Sequence, residues 1–118
     1  MRIPGFACLL PLAIASACTT HKSTSEELVA ALQGQHIEVR VMPAPSSGPE
    51  WPGYERSEHF ILDGYEDYMA DRFASTDITR GYCESFKSGV RVDIWCLHPT
   101  SGSFSPETWA KVSALRTR

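Results

Sequence analysis

The stretch that most constrains this chain is its beginning. Arg2 places one positive charge ahead of an apolar run from Ile3 to Ala15, and the small residues Ala15-Ser16-Ala17 close it. A charged start, a short apolar centre and a small-residue exit make the plan of a secretory signal. The run is too short to span a hydrocarbon core of about 30 Å, which takes about 20 residues. Pro4, Gly5 and Pro11 also make it a poor permanent helix. Removing residues 1–17 from 118 leaves 101, enough for one domain with a modest core.

Two cleavages fit the exit. Ala15-Ser16-Ala17 suits ordinary signal peptidase, which releases a soluble protein. Ser16-Ala17-Cys18 resembles the lipobox of bacterial lipoproteins, with Ala15 where that family prefers Leu, Val or Ile. The resemblance covers the first 18 residues only. It implies that Cys18 becomes the acylated first residue of a lipoprotein, palmitate being among its acyl chains. Thr19 after the cysteine, rather than Asp, resembles the class sorted to the outer membrane, facing the periplasm. Several acyl chains at ~0.8 kcal/mol per buried CH₂ would make such a membrane anchor effectively permanent.

An exported domain sits where thiols oxidise. Cys8 leaves with the signal and Cys18 is the lipid site, so Cys83 and Cys96 remain as the expected disulfide. No Cys-x-x-Cys spacing points to a metal instead. Without Arg2 the charge is 10 − 14 = −4, with histidines neutral. That balance carries no basic footprint, so nucleic acid is not an expected partner.

Thr19 to Ser25 is polar and reads as a tether, giving the division 1–17 signal peptide, 18–25 lipidated tether and 26–118 domain. Ser25 can cap a short helix that holds Glu26 and Glu27 in its first turn and stops at Gly34. Ile37, Val39 and Val41 alternate with polar residues, which predicts a strand ended by Pro43. The Pro- and Gly-rich stretch from Pro43 to Gly53 is a loop carrying Trp51.

From His59 onward two patterns compete. Asp63 with Glu66 suits a capping box before a helix, whereas Asp63-Gly64 between Phe60-Ile61-Leu62 and Tyr65 suits a two-residue hairpin turn. Strands on both sides favour the hairpin, which is the expectation here. Lys87-Ser88-Gly89 then reads as a turn between two strands. The second would place Val90, Val92, Ile94 and Cys96 on one face, joined by Cys83, Thr79, Gly81 and Ser85 of the first. The opposite face would carry Tyr82, Phe86, Trp95 and Leu97 among Arg80, Glu84, Arg91 and Asp93. Aromatics mixed with both charge signs are what partner surfaces favour. The alternative is that a helix or the C-terminal segment covers this face. Ser105-Pro106-Glu107 starts a C-terminal helix with Trp109, Val112 and Leu115 along one side.

The fold expected is mainly β, bordering on α+β: a small antiparallel meander or partly open barrel, with short N- and C-terminal helices and one disulfide. Leu32-x-Gly34, Phe60-x-x-Asp63-Gly64-Tyr65, Gly81-Tyr82 and Val90-x-Val92 together resemble small lipocalin-like β-meander domains.

Chemistry is sparse. His21, His36, His59 and His98 lie in separate segments, so a metal site would need long-range convergence. Asp63, Glu66, Asp67 and Asp71 match no calcium loop and read as a solvated acidic face. There is no Gly-x-Ser-x-Gly elbow and no phosphate loop. The expectation is a non-enzymatic binding or scaffold module without cofactor or metal, anchored in the cell envelope and meeting a protein partner there. The residues expected to meet that partner are Tyr82, Phe86, Arg91, Asp93, Trp95 and Trp51. The alternative is an inhibitor or immunity protein against a lytic enzyme. Small lipoproteins of lysozyme-inhibitor type carry a Ser-Gly-x-x-Tyr loop; Ser88-Gly89 matches its start, and Val92 stands in place of the tyrosine.

Overall fold

A computed structural model describes residues 23–101 and 104–117. Cys18, most of the expected tether and His21 lie outside these residues. The elements in chain order are α1 (Ser25–Gly34), β1 (Val39–Met42), β2 (Tyr54–Leu62), β3 (Glu66–Phe73), α2 (Thr76–Glu84), β4 (Val90–Val92), β5 (Trp95–Pro99) and α3 (Pro106–Ser113). The strands form one open antiparallel sheet in the order β1-β2-β3-β5-β4. The mainly β expectation holds, in its open form and not as a barrel.

Local chemistry explains most boundaries. Thr24, one residue before the expected cap, starts α1: its hydroxyl accepts from Glu27 N–H, and Glu27 accepts in return from the Thr24 N–H at 2.8 Å. Asp63, Gly64 and Tyr65 join β2 to β3, with φ of 52° at Asp63 and 93° at Gly64, and Leu62 stands opposite Glu66 at the base of the loop. The loop is three residues, one longer than the expected two-residue turn, but its two positive φ values still turn the chain back into a strand, so the hairpin wins over the helix. Ser105 caps α3 by accepting from Thr108 N–H, with Pro106 in the first turn.

Two expectations about 76–97 are corrected. Thr76–Glu84 is a helix and not a strand, because Ser75 accepts from Ile78 N–H as its cap and Asp77 sits in the first turn. The run 90–97 is not one strand either. Asp93, at φ 56°, and Ile94 turn the chain, so Val92 pairs back on Trp95.

The sheet separates two layers. On one face Phe60, Leu62, Tyr68, Ala70, Val90, Trp95 and Leu97 are buried together with Leu28 and Leu32 of α1 and Val112 of α3. Each leucine, valine and phenylalanine among them contributes roughly 1.5–3 kcal/mol by leaving water. On the other face α2 covers one end of the sheet, where Phe73, Tyr82, Cys83 and Cys96 form a smaller cluster. The Cys83–Cys96 disulfide fastens α2 there, with a Cα–Cα distance of 5.5 Å. Gly89 lies so close that a β-carbon would stand 3.1 Å from Cys83 Sγ.

The two sheet edges differ. Thr117 N–H donates to Arg91 O of β4 at 2.8 Å, so the C-terminal segment covers that edge. β1 is the other edge strand. No helix among the described residues is long and apolar enough to cross a membrane.

Candidate functional site

The face beneath α2 carries polar side chains in rows, where the buried side chains of the opposite face, apart from Glu58 and Glu66, are apolar. Because strand residues alternate sides, the registers give its content row by row. Ser57 stands opposite Asp71, Asp71 opposite Cys96, and Cys96 opposite Arg91. In the next row Met42 stands opposite His59, His59 opposite Met69, and Met69 opposite His98. Beyond it Arg40, Ile61 and Asp67 form a third row. α2 covers the first of these rows and stops at the second.

Asp71 is the centre of the covered row. It is 3% exposed, and its carboxylate accepts from Ser57 Oγ at 2.5 Å and Tyr82 OH at 2.7 Å. His98 Nε2 lies 2.9 Å from the same carboxylate. Burial pushes the Asp71 carboxyl up. The hydrogen bonds from His98, Ser57 and Tyr82, with the His98 charge, outweigh burial and hold it below the usual carboxylate range. Burial, followed by the Asp71 carboxylate, drives the Tyr82 phenol well above its ordinary value. Tyr54 OH lies 2.7 Å from Ser57 Oγ and extends the network.

Serine, aspartate and histidine are thus together, but in the wrong order for nucleophilic catalysis. That chemistry needs the imidazole between the nucleophile and the carboxylate, so that it can take the proton. Here the carboxylate is in the middle. Ser57 donates to Asp71, not to His98, so the cluster as built orders side chains and activates none of them.

The second row lies where cover ends. The His59 side chain is 29% exposed and that of His98 12%; Met42 and Met69 are half-buried. His59 Nε2 lies 2.7 Å from Asp67 Oδ1. Phe86 stacks on His98 with ring centres 4.0 Å apart and planes 16° apart. Each imidazole is therefore held by a carboxylate at Nε2.

The six residues expected to meet a partner do not share a surface. Trp95 is fully buried on the apolar face, where its Nε1–H donates to Ser23 O at 3.3 Å and Arg72 lies 5.6 Å from its ring centre. Tyr82, on α2, is buried between that helix and the sheet. Arg91 is buried, donates to Asp93 O at 2.9 Å and lines a hollow of about 370 Å³ with Arg80 and Arg116. Asp93 sits at the β4–β5 turn, where its carboxylate accepts from the Ser23 hydroxyl. Phe86 is half-buried against Tyr82 and His98. Trp51 keeps 38% of its surface exposed and meets Tyr82 edge-on, with ring centres 5.2 Å apart. Their expected common face came from treating Tyr82 and Phe86 as strand residues. Helix α2 moves them to the opposite side of the sheet from Trp95.

The acidic cluster is not one solvated face either: Asp67 is exposed, but the others are not. Asp71 and Glu66 are buried, and Asp63 ties the turn to β1 and α3 by accepting from Glu38 N–H and the Thr108 hydroxyl. Val92, at the position of the inhibitor-loop tyrosine, packs on the apolar core. Nothing in the sequence singles out Ser57 or Met42, and Met69 stands out there only through the helical spacing of Tyr65, Tyr68, Met69, Arg72 and Phe73. Alternation on β2 and β3 places Ser57 with His59 and Asp71 with Met69, and the three-residue loop at 63–65 sets the register that aligns the two pairs, where a two-residue loop would shift them by one position. No family model, curated protein or solved structure matches this chain.

Proposed function

We propose that the chain is an envelope lipoprotein, acylated at Cys18, whose domain is a non-enzymatic binding module. The observation that carries this reading is the contrast between attachment and opening. Ser23 is tied to the side of the sheet covered by α1 and α3: its carbonyl accepts from Trp95 Nε1–H and from Arg72, and its hydroxyl donates to Asp93. Only residues 19–22 separate it from Cys18, a reach of about 17 Å when extended. The chain therefore enters on one face, while the half-open row of Met42, His59, Met69 and His98 lies on the other. An anchor on one side leaves the far side free to meet another molecule. The central position of Asp71 supports a binding role over a catalytic one.

Two arms test this. Radiolabelled palmitate should enter the parent chain and not Cys18→Ser, and only the parent should sediment with membranes. A photocrosslinking residue at Arg40, on the half-open face, should trap a discrete envelope species. The same residue at Ala30, exposed on α1, should trap none. An unlabelled soluble parent, or equal trapping from both positions, contradicts the proposal.

A further inference from the structure

The half-open row has a composition that its surroundings do not explain. The chain has three methionines, and the two beyond the initiator, Met42 and Met69, both stand in it, one on either side of His59. His98 follows Met69 on the next strand. Neighbours in such a row have β-carbons about 4.5–5.5 Å apart, so three consecutive side chains can close on one ion.

The histidines are also poised. An ionised carboxylate only accepts, so the Nε2 that faces Asp67 in His59, and Asp71 in His98, carries the proton. In the neutral ring, the form that binds a metal, the lone pair is then on Nδ1. Imidazoles that hold metals are characteristically fixed by a carboxylate at the other nitrogen, which sets the tautomer and raises ligand basicity. Nδ1 is the nitrogen nearer the backbone, so it would keep an ion low over the sheet, within reach of thioethers from either side.

Two thioethers and an imidazole are soft donors. They suit a monovalent d¹⁰ ion and discriminate against calcium and magnesium, which take oxygen. Zinc sites use thiolate, imidazole and carboxylate, and thioether is a poor substitute. We propose that Met42, His59 and Met69 form a binding site for Cu(I), with His98 flanking it. The inference rests on the half-open face of the binding-module reading and gives that face a ligand.

The test uses the full chain, purified in detergent from envelope membranes and kept free of oxygen. Cu(I) is presented as its complex with bicinchoninate, and the loss of chelator colour is followed. The parent should withdraw one equivalent beyond that taken by Met42→Leu/Met69→Leu, whose site affinity should fall at least 100-fold. His59→Asn should lose a comparable factor. His36→Asn, off the row, should match the parent. Leucine keeps the methionine volume, and an unchanged circular dichroism spectrum with the disulfide intact establishes that each variant is folded. A folded double-leucine variant that holds Cu(I) as tightly as the parent overturns the site. That result would leave the palmitate and crosslinking arms untouched, so the two readings fail separately.

Discussion

The two faces of this sheet are made by the same strands, and they differ in what they contain and what covers them. On one, Phe60, Leu62, Ala70, Trp95 and Leu97 lie beneath α1 and α3 and are closed from water. On the other, Ser57, Asp71 and His98 form hydrogen bonds beneath α2, and the row beyond them is half-open. The apolar face stabilises by area removed from water, which is indifferent to direction. The polar face is directional: each group needs a particular partner, and a missing one costs the desolvation of what remains. The comparison teaches a division of labour, in which one face holds the fold and the other holds oriented side chains.

Removing Trp95 should break the comparison hardest. Trp95→Ala should cost about 3–5 kcal/mol in urea unfolding, as truncation of a fully buried aromatic does. A loss below ~1 kcal/mol would mean that the apolar face is not the scaffold. Next is the fastening of α2. Cys83 and Cys96 are 13 residues apart, so replacing both by serine should cost roughly 3 kcal/mol on the chain-entropy account. An unchanged unfolding midpoint under oxidising conditions would contradict that staple.

Asp71→Asn sharpens the polar side. It removes the charge that Ser57, Tyr82 and His98 surround, and should cost about 1–3 kcal/mol near neutral pH. The folded carboxyl titrates below its unfolded value of about 3.9. Its contribution is therefore complete above the unfolded value and is lost as pH falls through the lower folded one. The gap between parent and variant should be widest above about pH 5 and narrow below pH 4; a gap that widens on acidification would reverse the sign and refute the assignment. The smallest effect belongs to Met42→Leu/Met69→Leu, which should cost under ~1.5 kcal/mol because volume is conserved. A larger loss would assign the methionines to the fold.

How far the sequence reveals this arrangement depends on the range of the interactions. The hairpin at Asp63-Gly64 and the start of α3 at Ser105-Pro106 are local, and both are legible within a few residues. The disulfide is legible from counting, once export is read from residues 1–17. Helix α2 is local too, yet Thr76, Ile78 and Thr79 are β-branched and Gly81 interrupts the pattern, so composition points to a strand. The cap at Ser75 and the first-turn Asp77 were the signals that could have found it. Misplacing α2 then carried Tyr82 and Phe86 to the wrong face and made Trp95 look like surface. The row of Met42, His59, Met69 and His98 has one local signal, the hairpin that sets His59 against Met69; Met42 and His98 join it from distant segments. It exists through three registers between four strands, and a slip of one residue in any of them would turn its members to the opposite face.

The most direct measurement is carbon-13 methyl NMR of the full chain labelled at the methyl groups of methionine, leucine and valine, with Ag(I) added as a redox-inert counterpart of Cu(I). The account predicts that the Met42 and Met69 methyl signals move together and saturate at one equivalent, while signals of the apolar core stay in place. Methionine signals that do not move, or move only together with the core, would contradict the separation of a working face from a structural one.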